Sequence, residues 1–344
     1  MSRMDSAMTN ILREPEDASA EWFSAALGTT VISIGEPERI GTGQMSRNYR
    51  FTLSGDGPAS VVIKIAAAEG EIGETASRAY QREVGFYREI ASSIEGVAPR
   101  CLHHAISSAG DQFTLVLEDL APAQQGNQIA GCSIAEAKLA LRTLAALHAA
   151  RWNDRSLFEN PTLHGNEPNL LDQVMPIAHA EFERRYAERL QPGTIPLLER
   201  FSRGAGAWSE FEHDPIALGH ADFRLDNLMF TSTGVTAVDW QTVRIGPPAA
   251  DVAYFLGNSL LIEDRRAHED ELFESYLASL AEHGVTYGID ALRIDYARGA
   301  WLGPLITVLG AFTATRTDRG DDMFIAMADR ACAQIADHNS LNYL

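Results

Sequence analysis

The sequence predicts an α+β chain in two lobes, a small N-terminal one with an antiparallel five-stranded sheet plus a helix and a larger, mostly helical C-terminal one. Three observations lead there. Five short runs with strand character lie between residues 31 and 117, and helical spacing takes over from residue 133. The length of 344 residues also exceeds the roughly 250 to 300 at which a single core stops growing. The boundary falls near residue 120, giving lobes 1–120 and 121–344.

Residues 18–28 read as an amphipathic helix with Trp22, Phe23, Ala26 and Leu27 on one side, stopped by Gly28. A meander follows, Val31–Ile34, Asn48–Leu53 and Ser60–Ile65, with Asp56-Gly57-Pro58 as the turn before the third strand. The loop Ile40–Arg47 carries Gly41 and Gly43, where bare backbone amides can approach an anion; an ordinary hairpin turn explains the same residues. Lys64 lies in the β-branched run Val61–Ile65, so its ammonium needs a charged partner or ligand. On a helix over 74–93, Glu83 shares the apolar face of Ala79, Tyr80, Phe86 and Tyr87, and a carboxylate there needs a cation. Strands over 100–106 and 113–117 complete the five, and the second runs into a hinge at 117–121.

In the second lobe Ser133 and Glu136 form a capping box opening a helix with apolar Ile134, Ala137, Leu141 and Leu144; His148 reads as a packing residue on it. Helical material runs from Leu171 to Gly206. Residues 218–241 read as a loop followed by a hairpin turned at Thr231–Gly234. Asp222 precedes Asn227 by five positions, and the hairpin should return Asp239 to Asn227. An amide and a carboxylate are hard oxygen ligands, enough for Mg²⁺ when phosphates complete its shell, and Asp222 is left as a base. The run Gly246–Phe255 starts another helix, with Asp251 a first-turn acid. The uncharged stretch between Arg298 and Arg316 holds three glycines and a proline and reads as a buried helix. Trp301, Asp318, Asp321 and Asp322 are cleft candidates, none singled out.

With 28 basic and 47 acidic residues the net charge is −19. That disfavours nucleic acid and anionic membranes as partners; a solvated surface and one suited to a cationic substrate both fit it. Cys101, Cys132 and Cys332 are odd in number and lack metal-ligand spacing, and the N-terminus lacks a signal-peptide core, so a reduced, cytoplasmic protein is expected. Oligomeric state is left open.

His220, Asp222, Asn227, Asp239 and Trp240 together resemble the signature of the aminoglycoside phosphotransferase superfamily, small-molecule kinases with the protein-kinase fold; the Leu-Glu-Asp-Leu wording at 117–120 is similar to its ecdysteroid-kinase-like branch. The resemblance runs from residue 40 to 255. It implies that Asp222 takes the proton of an acceptor hydroxyl and that Asn227 and Asp239 hold Mg²⁺. It further implies that Lys64, fixed by Glu83, and the backbone at Gly41, Gly43 and Ser46 orient the phosphates of ATP, or alternatively GTP. The Glu118 carbonyl and Leu120 amide would meet the base of the nucleotide, while His220 and Asp251 would brace the catalytic loop. Ala221 departs from the family's usual glycine, which matters if the loop needs a positive φ. The acceptor is expected to be a small-molecule hydroxyl, of an antibiotic, sugar, amino alcohol or lipophilic alcohol. A protein kinase is excluded because only residues 240–250 separate Asp239 from Asp251, too few for an activation segment. A catalytically inactive nucleotide-binding module of the same fold is the remaining alternative.

Overall fold

The computed structural model describes residues 11–41, 45–67, 74–164, 168–210 and 214–344. The chain forms two compact units: one takes residues up to Pro122 together with Val238–Thr242, the other Ala123–Ala237 and Val243–Leu344.

The first unit opens with helix α1 (Ala20–Leu27). The Ser19 side chain accepts the Trp22 amide at its start, and Gly28 closes it at φ +63°, where a side chain would be strained. Strands β1 (Val31–Ile34), β2 (Glu38–Ile40), β3 (Ser46–Gly55), β4 (Ser60–Ala66), β5 (Cys101–Ile106) and β6 (Phe113–Glu118) form one antiparallel sheet in the order β1-β3-β4-β6-β5, with β2 on β3. The sheet therefore has six strands among the described residues, one more than expected. The extra strand is three residues long and begins Glu-Arg, too short and too polar for an alternating apolar signal. Phe23 packs with Phe51, Val61, Ile63, Ile65 and Val116 in the core between α1 and the sheet. Helix α2 (Glu74–Glu89) stops four residues earlier than expected and passes into a 3-10 turn at Ala91–Ser93. It buries Tyr80, Val84, Phe86 and Tyr87, and Glu83 with them. Phe86 stacks on Trp240, centroids 3.9 Å apart and planes 9° from parallel, which fastens the 238–242 segment to α2.

The second unit contains β7 (Gln124–Gln125), α3 (Ile134–Ala150), α4 (Pro168–Tyr186), α5 (Thr194–Ser202), α6 (Ala205–Ser209), β8 (Ala217–Gly219), β9 (Leu228–Phe230), β10 (Val235–Ala237), β11 (Arg244–Gly246), α7 (Pro248–Ser259), α8 (Ile262–Glu282), α9 (Ile289–Gly299), α10 (Leu302–Thr313) and α11 (Asp318–Asp337). The capping box of α3 is present in both directions, Ser133 accepting the Glu136 amide and Glu136 accepting the Ser133 amide. The hairpin is there too: β9 and β10 pair with Val235 opposite Phe230, and Thr231 Oγ1 accepts the Gly234 amide in the turn. Helix α7 is buried at every residue, and α9, α10 and α11 pack against it. Trp301 is buried, stacked on Phe201, and donates its indole N–H to the Ser340 carbonyl; Asp321 accepts the Tyr186 hydroxyl at 2.7 Å. Both knit helices together. Among the described residues no helix is long and apolar enough to cross a membrane. All three cysteines are free thiols; burial pushes Cys101 and Cys132 up to about 12, and Cys332 higher still.

Candidate active site

In the first unit, the β4 register puts Lys64 opposite Asn48 and Leu115 in the middle of the sheet, where its stem is sealed and only its amine can find polar company. Nζ donates to Glu83 Oε1 at 2.7 Å and to Asp239 Oδ1 at 2.9 Å. Burial opposes the charge on Lys64, but the Asp239 and Glu83 carboxylates outweigh it and raise its pKa above that of free lysine. Glu83 Oε1 also accepts the Trp240 amide at 3.2 Å, so one carboxylate aligns the lysine and the segment bearing Asp239. The two carboxylates differ in access, Glu83 being 1% exposed and Asp239 42%. Glu83 is sealed from solvent, whereas Asp239 is open to it.

The glycine loop is anchored at both described ends. Gly41 sits at φ +70°, in the left-handed region. Ser46 is buried with its Oγ 3.5 Å from Gln241 Nε2, and the Tyr80 hydroxyl donates to the Met45 carbonyl at 2.5 Å. Gly43 lies outside the described residues. At the end of β6, Glu118 pairs in register with Val61 and its side chain accepts the Arg100 amide, while Leu120 is half-buried. Neighbouring Asp119 is engaged by Arg50, Ser60 and the Ala121 amide, so it stiffens this stretch.

In the second unit the catalytic-loop candidates hang between β8 and β9. Asp251, in the first turn of α7, accepts the His220 amide at 2.7 Å through Oδ2 and the Ala221 amide at 2.9 Å through Oδ1. A Cβ on Gly219 would come 2.8 Å from Asp251 Oδ2, so only glycine lets the carboxylate reach the loop backbone. His148 Nε2 lies 3.5 Å from the same oxygen and its Nδ1 is 2.7 Å from the Tyr276 hydroxyl, the satisfied packing role expected of it. His220 is fully buried, and its Nδ1 accepts the Asp222 amide at 3.3 Å.

These bonds present Asp222 with both carboxylate oxygens engaged. Tyr254 on α7 donates its hydroxyl to Oδ1 at 2.6 Å, and Asn227 donates Nδ2 to Oδ2 at 2.8 Å. Arg224 Nε bridges both oxygens at 3.1 and 3.2 Å. Because the Asn227 nitrogen is spent on Asp222, its Oδ1 is the atom available to a cation. Among the described residues no three His, Cys, Asp or Glu side chains gather as a metal group. Asn227 Oδ1 in the second unit and the half-exposed Asp239 carboxylate in the first are each hard oxygen donors of the kind Mg²⁺ prefers. Tyr254 and Arg319 were not among the residues singled out from the sequence. They stand 32 and 93 positions from the loop residues they bond, Asp222 and Asp226, and no local pattern announces them.

A model of the ecdysteroid kinase-like family matches residues 44–287. The chain belongs to that family. Solved structures similar to this ecdysteroid kinase-like chain include a choline/ethanolamine kinase family protein from Mesorhizobium loti, with 17% identity, TM-score 0.53, 99% of this chain and 95% of that one covered. They also include a choline kinase from Cryptosporidium parvum, with 10% identity, TM-score 0.56 and 88% of both chains covered. A macrolide 2′-phosphotransferase from Brachybacterium faecium has 14% identity and TM-score 0.50 over 89% of this chain and 95% of that one. These likenesses establish the protein-kinase-like fold. No curated protein matches the sequence.

Within this kinase-like scaffold, Ala221 answers the question left by its departure from glycine: it adopts φ +61°, so the loop does require the left-handed region. A non-glycine residue there costs about 1–2 kcal/mol, partly offset because glycine loses more entropy on folding. Ala221→Gly is therefore expected to stabilise the protein by about 0.5–1 kcal/mol. Urea denaturation measures this, and no gain would mean that the strain is relieved elsewhere.

Proposed function

We propose that the chain transfers the γ-phosphoryl group of ATP, or of GTP, to a hydroxyl of a small molecule. The reading is carried by the Asp222–Asn227 pair, a carboxylate oriented by the amide nitrogen of a residue whose oxygen remains for a cation. Asp222 positions the acceptor hydroxyl and takes its proton as the acceptor oxygen bonds to the γ-phosphorus. The bond from that phosphorus to the bridging oxygen breaks, and ADP leaves with the electron pair. Lys64, held by Glu83, exchanges its contact with Asp239 for the nucleotide phosphates, and the backbone at Gly41 and Ser46 lies along them. Asp239 and Asn227 are the proposed ligands of Mg²⁺, which when bound neutralises and aligns the phosphates. Glu118 and Leu120 offer backbone groups to the nucleotide base. His220 and Asp251 position the loop. Most of the acceleration in such a step comes from alignment and electrostatic stabilisation.

The acceptor classes the reading admits are antibiotics, sugars, amino alcohols and lipophilic alcohols. Transfer of labelled γ-phosphate to pools of these compounds tests it, with Asp222→Asn as the control. Labelling of one pool by the wild type alone supports the kinase and names the acceptor class. Tight binding of Mg·ATP with no labelling of any pool would favour a nucleotide-binding module, and failure to bind ATP or GTP would sink both readings.

A further inference from the structure

The Asp222 carboxylate, with about four lone-pair sites, receives three donors: the Tyr254 hydroxyl on Oδ1, Asn227 Nδ2 on Oδ2, and the single Nε–H of Arg224 shared between the two oxygens. An acceptor hydroxyl competes with these donors for the two oxygens, and the shared Arg224 N–H, at 3.1 and 3.2 Å, makes the longest of the contacts. Tyr254 is fully buried on α7, and Asn227 is tied a second time, its Nδ2 donating to the Asp222 carbonyl at 3.0 Å. Arg224 is the donor with an alternative in place. Its NH1 is 3.1 Å from Asp226 Oδ2, at the other end of the same guanidinium from the Nε that covers Asp222. Asp226 is itself fixed, accepting the Gln128 amide at 3.0 Å and two bonds from Arg319 of α11 at 2.8 and 2.9 Å.

We infer that Arg224 is a movable cover over the Asp222 carboxylate, displaced by the acceptor toward Asp226, and that Arg319 sets how strongly Asp226 draws it away. The inference rests on the phosphotransfer reading and adds to it a gate on the base. Arg319 is a positioning residue in this account, because it acts on Asp222 only through Asp226 and Arg224. Its residue lies beyond 287, where the family match ends, so the gate depends on a part of the chain outside the matched region.

The gate makes predictions of opposite sign, which a merely structural role does not. With no acceptor added, water is the nucleophile: its oxygen bonds to the γ-phosphorus, the bond to ADP breaks and Asp222 takes the proton. Arg224→Gln should raise this Mg·ATP hydrolysis about tenfold, the worth of one charge-assisted hydrogen bond, with the KM for ATP unchanged. Arg319→Gln, at a side chain that is half exposed, should also raise it, because Asp226 then pulls harder on Arg224. Asp226→Asn should lower it. Thermal melting of each variant shows whether it is folded. Reduced hydrolysis in both arginine variants at unchanged melting temperature, or a higher KM for ATP in Arg224→Gln, would overturn the gate. Hydrolysis that Asp222→Asn fails to abolish in the wild-type background would instead overturn the phosphotransfer reading on which the gate depends.

Discussion

Asp222→Asn is expected to lower phosphoryl transfer by about 10²–10⁴-fold, the usual contribution of a positioned general base, and to leave nucleotide affinity unchanged. The separation follows from geometry: of the partners of Asp222, neither Tyr254 nor Arg224 is proposed to touch the nucleotide, and Asn227 is proposed to meet it only through the metal, so the affinity compared is that for the nucleotide without Mg²⁺. The substitution is not silent for folding. In either orientation an asparagine sets its NH₂ against the Arg224 N–H, which lies across both positions, placing donor against donor, and Arg224 loses a charged partner. A stability loss of about 1–2 kcal/mol is the expected accompaniment. Transfer rates divided by the folded fraction, with nucleotide binding measured in parallel, separate the two effects. If activity falls only as far as the folded fraction does, Asp222 is not the base.

The largest loss of stability is expected at Asp251. Alanine there would strand the buried amides of His220 and Ala221 and remove the carboxylate beside His148 and Arg244. Leaving such groups without a partner costs about 3–5 kcal/mol. Burial works against the charge of Asp251, yet the hydrogen bond and charge of His148, with His220 and Arg244, hold its pKa below the usual carboxylate range. A depressed folded-state pKa gives stability that is fully present above the unfolded value near about 4 and is lost as pH falls through the folded one. Urea denaturation of the wild type should therefore weaken more steeply below about pH 4 than that of Asp251→Ala. Parallel curves for the two proteins would mean that Asp251 is not the titrating brace.

Much of this architecture was legible because the sequence states its local rules openly. A lysine amid Val61, Val62, Ile63 and Ile65 needs a counter-charge, and a glutamate on the apolar face of the next helix is the matching demand; the two meet at 2.7 Å. The Ser133 capping box, the Gly28 stop and the Thr231–Gly234 turn are read within four residues and are found where expected. What escaped is tertiary. The strand Glu38–Ile40 exists because β3 runs past it and offers a ladder, not because its own residues favour a strand. The positive φ of Ala221 is imposed by two amides converging on Asp251, thirty positions away, and alanine gives no hint of it. Asp239 is likewise at φ +66° in the segment tied to α2. The Tyr254 and Arg319 contacts depend on helices whose register against the loop no periodicity encodes.

The membership of residues 238–242 in the first unit also has a meaning for how the chain is made. Everything else in that unit has been synthesised once residue 122 is added, but Asp239 and Trp240 have not. Until they emerge, the buried Lys64–Glu83 pair lacks its second carboxylate and Phe86 lacks its stacking partner. At ordinary synthesis rates of about 5–20 residues per second the wait is on the order of ten seconds. During that time the nascent first unit carries Phe86 without the Trp240 ring that stacks on it. A fragment ending at the boundary that the sequence suggests would lack Asp239 and Trp240 permanently, leaving Lys64 and Phe86 without those partners.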